Sequence, residues 1–104
     1  LGLLDGVAIK VSRSGGLTEA RNMVEYLSEH GLAFFASGLT DPDVSLAASL
    51  HLFSAYDLQH PAALNGPQFL QGSYLKDPIE ITGDQALVPE GCGLGVEPDS
   101  FWRD

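Results

Sequence analysis

The sequence predicts an α/β fold built on a parallel sheet, and three observations predict it. Short apolar runs at residues 5–11 and 32–36 alternate with stretches of helical apolar spacing at 17–30 and 44–56, the order expected of parallel strands joined by helices. Glycines or polar loops stand at each junction, Gly15-Gly16, Gly31 and Ser37–Asp43. The 104 residues are 44% hydrophobic and 18% charged, a globular composition long enough for one small core.

Asp5–Val11 is a short, β-branched run that fits a buried parallel strand. Gly15-Gly16 end it with a tight turn. Leu17, Ala20, Met23, Val24 and Leu27 then follow helical spacing, with Thr18 in place to cap the start and Gly31 to occupy the position after the end. Leu32–Ala36 reads as a second strand and Val44–Tyr56 as a second helix, apolar on more than one face and so expected to pack on both sides. Asp57–His60 is a candidate for a third, very short strand. Residues 61–77, with Pro61, Gly66, Pro67 and Gly72, read as loop. Ile79–Thr82 and Gln85–Val88 flank Gly83-Asp84, which suits a two-residue type I′ or II′ hairpin. A glycine-rich closing segment, Gly91–Val96, follows, and Phe101 and Trp102 are expected to anchor the tail by packing.

A sheet of three parallel strands would leave apolar edges unpaired. With no initiator Met, the chain is expected to be a piece of a larger protein. Five Lys and Arg against 14 Asp and Glu, a net charge of −9, argue against a nucleic-acid groove or an anionic membrane surface as partner. No apolar run approaches the roughly 18 residues of a membrane span, and the N-terminus lacks the basic start of a signal peptide. The lone cysteine, Cys92, forms no intrachain disulfide, which fits a cytoplasmic setting, and between two glycines it reads as an inert thiol.

The chemistry-bearing stretch is Ile9–Gly16, with a lysine where a strand stops and glycines where the chain turns. In α/β proteins, sites gather at that end of the strands. No Gly-x-x-x-x-Gly-Lys pattern is present, so the glycines are not a phosphate-binding loop. None of His30, His51 and His60 has metal-ligand spacing to another or to Cys92. His30 is placed to interact with the carbonyls at its helix end.

Lys10-x-x-Arg13-x-Gly15-Gly16 before Leu17-Thr18-Glu19-Ala20 resembles the sixth barrel strand and helix of the enolase superfamily. The likeness is to the muconate cycloisomerase-like branch of its mandelate racemase/muconate lactonizing enzyme family. Gly38-Leu39-Thr40-Asp41 and Ala47-Ala48-Ser49-Leu50-His51-Leu52 resemble the seventh strand's loop and helix, and Gly93-Leu94-Gly95-Val96-Glu97-x-Asp99 is similar to the closing signature. The three matches keep the family's order and cover nearly the whole chain.

The resemblance implies the C-terminal part of a (β/α)7β TIM-type barrel plus a C-terminal β-hairpin. Residues 1–77 would carry strands six to eight, and 78–104 a hairpin and tail packing toward a capping domain. A full barrel takes about 250 residues, so this chain cannot close one. The implied enzyme abstracts a proton α to a carboxylate through an enediolate, as in racemisation, epimerisation or cycloisomerisation. It would use Mg²⁺, whose three carboxylate ligands lie outside this chain, and a small carboxylate substrate, and it would be a homo-oligomer at full length. The isolated piece is expected to be inactive. A dehydratase acting on an acid sugar is the alternative within the superfamily. A non-catalytic α/β module binding through its hairpin and apolar edges is the alternative outside it.

By position, Lys10 matches the sixth-strand lysine that serves as acid/base or electrostatic partner. An ordinary lysine keeps its proton at neutral pH, so a base role calls for a metal ion and a second lysine that disfavour the ammonium. A protonated lysine would instead stabilise the enediolate. Asp41 stands where many relatives carry a pocket glutamate. Its residue-level reading is helix capping, because Asp-Pro suits an N-cap followed by the first helical position. Asn65, after the eighth strand, is placed at the substrate pocket. Arg13 is counted with the substrate-binding residues, though by itself it reads as structural or ion-pairing rather than catalytic.

Overall fold

In the computed structural model, which describes residues 2–100, strand β1 is Gly6–Lys10 and strand β2 is Ala33–Ser37. They pair in parallel, in register from Gly6 opposite Ala33 to Lys10 opposite Ser37. The first strand is shorter than the apolar run that announces it. Val11–Arg13 winds into a 3-10 turn, and the Ser14 hydroxyl and amide close that turn on the carbonyls of Lys10 and Val11.

Helix α1, Leu17–Glu29, crosses between the strands and buries Ala20, Val24 and Leu27, one stripe at helical spacing. Leu17 and Met23, expected on that stripe, are exposed. Met23 and Tyr26 instead border an apolar cleft with Val7 and Ile9 beside β1. Thr18 is not the cap: Gly16 holds that position, and its carbonyl already accepts the Ala20 N–H. Gly15 and Gly16 both sit at positive φ, so the chain completes its turn with a cap two residues before Thr18.

The far end of α1 follows expectation. Gly31 takes the left-handed conformation (φ 68°), its N–H bonds Ser28 O, and the Leu32 N–H reaches back to Leu27 O at 2.9 Å. That is the double bond of a Schellman stop, which glycine permits without a Cβ clash. His30 Nδ1–H donates to Tyr26 O at 2.8 Å, covering another terminal carbonyl.

Helix α2, Asp43–Ser54, is buried on both faces, as its apolar composition requires. Leu52 and Phe53 join Ile9, Val11, Ala20, Val24, Leu27 and Ala36 in one core cluster. Leu46, Ala47 and Leu50 join Leu75 and Ile79 in a second. The capping assigned to Asp41 is corrected: Pro42 is the cap, in extended backbone (φ −66°, ψ 167°), and Asp43 is the first helical residue. The proline ring fixes φ near −65°, which suits an extended cap as well as a first helical turn. The helix therefore starts one residue later than the Asp-Pro pair suggested.

No strand forms at 57–60. The third position in the sheet is a single parallel bridge further on, Ser37 to Ala63, made by Ala63 N to Ala36 O (2.9 Å) and Gly38 N to Ala63 O (3.1 Å). Pro61 removes a donor just before it. Beyond it, Pro67–Phe69 forms a 3-10 turn within the expected loop.

Strands β3, Ile81–Thr82, and β4, Gln85–Ala86, make the expected hairpin, each shorter than its apolar run. Gly83 has φ 62° while Asp84 does not have positive φ, which selects type II′ over I′. The closing segment returns antiparallel to residues 74–76 through Lys76 N to Glu97 O (2.9 Å) and Asp99 N to Tyr74 O (2.7 Å). Phe101 and Trp102 lie outside the described residues. No described helix is long and apolar enough to cross a membrane.

Candidate functional site

Parallel pairing brings the last residues of β1 and β2, Lys10 and Ser37, side by side at one end of the sheet. The Lys10 side chain reaches across that end. Its Nζ donates to Ser37 Oγ at 2.7 Å and to Gly38 O at 2.7 Å. Ser37 is 9% exposed and Lys10 is half-buried, so both bonds are sheltered from competing water. The backbone of Lys10 is held as well, because its carbonyl accepts the Ser14 hydroxyl at 2.7 Å.

Asp41 joins the same network from the loop after β2. Its carboxylate turns inward: Oδ2 accepts the Leu39 N–H at 3.2 Å, and the residue is 6% exposed. The Gly38 carbonyl and the Leu39 amide belong to one peptide group. That peptide bonds Lys10 with its oxygen and Asp41 with its nitrogen.

Glycines make the packing possible. A Cβ on Gly38 would stand 2.5 Å from Asp41 Oδ2. A Cβ on Gly66 would overlap the Asp41 backbone, which cannot give way as a side-chain tip can. Asn65 arrives by main chain, its carbonyl accepting the Asp41 N–H at 3.3 Å, while its side chain is exposed.

Three of the four residues singled out from sequence thus converge: Lys10 and Asp41 through the Gly38–Leu39 peptide, and Asn65 through the backbone of Asp41. Arg13 stands apart, exposed at the end of its 3-10 turn, and no described hydrogen bond links it to Lys10, Ser37 or Asp41. Ser37 is the member that sequence reasoning passed over. Its signal was the register, since it ends the second strand as Lys10 ends the first.

A shallow cavity of about 270 Å³ opens beside this network, lined in part by Val11, Gly15, Gly16, Asp41 and Ser49. A second cleft, about 350 Å³, lies under the hairpin between Ile79, Val88 and Val96 and shares no residue with the Lys10 network. Among the described residues no three His, Cys, Asp or Glu groups stand together as a metal site. The oxygen of Asp41 facing Leu39 and that of Asp43 facing Ser73 are engaged within the chain. The described residues therefore do not supply the ligand set for a magnesium ion. Cys92 is an exposed free thiol.

Comparison with known proteins follows the same lines. Residues 1–102 match the family model described as "Enolase C-terminal domain-like". Muconate cycloisomerase 1 of Acinetobacter baylyi is 34% identical over 96 residues, 91% of this chain and 26% of that protein. The N-succinylamino acid racemase of an Amycolatopsis species is 30% identical over 98 residues, 94% of this chain and 27% of that protein. The crystal structure of 2-chloromuconate cycloisomerase from Rhodococcus opacus 1CP superposes with a TM-score of 0.87 at 32% identity, covering 93% of this chain and 27% of that one. The muconate lactonizing enzyme of Pseudomonas putida shares the fold at a TM-score of 0.87. The chain thus spans about a quarter of the length of the relatives it matches.

Proposed function

The chain belongs to the enolase C-terminal domain-like family, and from that premise we propose that it is the closing barrel portion of an isomerase-type enzyme that removes a proton α to a carboxylate. The observation that carries the reading is Lys10. It ends a parallel strand, at the sheet end where barrel enzymes place their chemistry, and its amine is held by two acceptors at 2.7 Å. The names of the relatives, muconate cycloisomerase and N-succinylamino acid racemase, support a small carboxylate as substrate and an isomerase as the reaction class.

On this reading, with muconate, whose α-carbons are vinylic, the enediolate would form by ring closure and take its proton from the Lys10 ammonium; with a saturated α-carbon the neutral Lys10 amine accepts the α-proton, leaving an enediolate. The ammonium so formed either returns the proton or offsets the charge on that anion. Asp41 and Asn65 sit beside it at the mouth of the sheet. Residues 1–77 are assigned to the barrel, and 78–104 to a hairpin and tail facing a capping domain. Mg²⁺, with carboxylate ligands outside this chain, would supply charge stabilisation. The whole enzyme is read as a cytoplasmic homo-oligomer, and the 104-residue chain alone as inactive.

Lys10→Ala in the whole enzyme tests the reading. Turnover is expected to fall by about 10²- to 10⁴-fold, the range for a general acid or base, with the circular dichroism spectrum and melting temperature unchanged. Near-normal turnover of both muconate and N-succinylamino acids would remove Lys10 from the chemistry.

A further inference from the structure

We propose that Asp41 and Ser37 are positioning residues that aim the Lys10 amine, Asp41 acting through the Gly38–Leu39 peptide, rather than groups that bind substrate. The inference rests on the acid/base reading of Lys10 and deepens it. Asp41 does not touch Lys10. It accepts the Leu39 N–H at 3.2 Å, and the carbonyl of that same peptide accepts Lys10 Nζ at 2.7 Å. Hydrogen bonds in series polarise one another. A carboxylate on the N–H end of a peptide therefore strengthens its carbonyl as an acceptor and resists rotation of the peptide plane. Ser37 Oγ supplies the second acceptor at 2.7 Å.

The consequence follows from the valence of the amine. An ammonium carries three N–H donors. Two are taken, by Ser37 and Gly38, and one direction is left. In the ammonium that direction holds the third proton; in the neutral amine it holds the lone pair. The proton that is exchanged with substrate then has one place and one direction, the condition for transfer between aligned groups. Burial fits this role: Asp41 is 6% exposed and its Oδ2 faces Gly38, where a Cβ would stand 2.5 Å away, so that oxygen is committed to the loop.

The test is steady-state kinetics of the whole enzyme with muconate, and with an N-succinylamino acid, for Asp41→Ala, Ser37→Ala and Ser37→Thr. Positioning predicts that the two alanine variants lose about tenfold to a hundredfold in kcat with KM nearly constant, and that Ser37→Thr, which keeps the hydroxyl, restores most of it. A rise in KM at constant kcat in Asp41→Ala would make it a substrate-binding residue and overturn the proposal, as would wild-type kcat in both alanine variants. Lys10→Ala, measured alongside, separates the two levels: an active Lys10→Ala enzyme ends the acid/base reading itself, whereas an inactive one beside unimpaired Asp41→Ala and Ser37→Ala ends only the positioning.

A second arm needs no substrate. The chain has two lysines, Lys10 and the exposed Lys76, so Lys76 serves as internal standard for competitive acetylation with acetic anhydride. Asp41→Ala and Ser37→Ala should each raise the ratio of Lys10 to Lys76 labelling while circular dichroism stays unchanged. An unchanged ratio in both would overturn the restraint.

Discussion

The two halves of the molecule hold themselves together by different means. In residues 6–54 a five-pair parallel ladder and two helices of 13 and 12 residues bury side chains at regular spacing, with Phe53, Ile9 and Val24 each 2% exposed or less. In residues 67–100 the hairpin has two residues per strand, the other pairing is a single bridge, and Ile81, Leu87 and Val88 are exposed. The second half is tied to the first mainly through α2: Leu75 and Ile79 pack on Leu46 and Leu50, His51 Nε2–H donates to Leu94 O at 2.7 Å, and Ser73 donates to Asp43. The Lys10 network lies in the first half. The contrast teaches that the geometry of the site rests on the β1–β2 ladder and its core, with the second half acting as a cover for the other face of α2.

The comparison breaks most visibly at the cores. Phe53→Ala should cost about 3–5 kcal/mol, the range for a buried Phe, and should open the amides of β1 and β2 to hydrogen exchange. Leu75→Ala should cost about 2–3 kcal/mol, toward the lower end for a buried Leu, and leave the Lys10 and Ser37 amides protected. If Leu75→Ala exposes those amides as fully as Phe53→Ala does, the halves are one cooperative unit.

A smaller effect is expected at the seam. Asp43 is 1% exposed, with Oδ2 accepting the Ser73 hydroxyl at 2.6 Å and Oδ1 without a partner among the described residues. Ser73→Ala leaves a buried carboxyl group with neither oxygen satisfied, at a cost of about 1–3 kcal/mol. A double-mutant cycle with Asp43→Ala by urea denaturation measures the coupling; strict additivity would show that the bond does not join the halves.

The smallest effect is one of pH. Burial, then the charge of Glu25, with a Glu25 hydrogen bond adding to it, raise the Tyr56 phenol above its ordinary 10.0, while Arg21 acts in the opposite sense. A folded-state value above the unfolded one means that this contribution is fully present below about 10 and is lost as pH rises through the folded value. Tyr56→Phe should therefore flatten the alkaline fall in stability, read from melting temperatures between neutral and strongly alkaline pH. Identical alkaline profiles would show that Tyr56 does not contribute to it.

Local rules made much of this legible in advance. Periodicity placed α1 and α2, Gly31 marked the stop of α1, and Gly83-Asp84 marked the hairpin, because each depends on neighbours in the chain. The capping assignments at Thr18 and Asp41 failed at the same level, since each helix start was set by its neighbours, the positive-φ Gly15-Gly16 pair and Pro42. The third strand was misplaced because one backbone bridge at Ala63 leaves no periodic trace in the side chains.

From the order of residues alone came the α/β alternation, the double-faced α2 and Lys10 at the end of a strand, all consequences of hydrophobic spacing and chain turning. Folding in three dimensions settled what Lys10 touches. Its partners Ser37 and Gly38 are 27 and 28 residues away, and Asp41 reaches it only through a peptide group. Register between parallel strands is a long-range choice made by the packing of Ile9, Ala36 and Phe53, and no run of neighbouring residues encodes it.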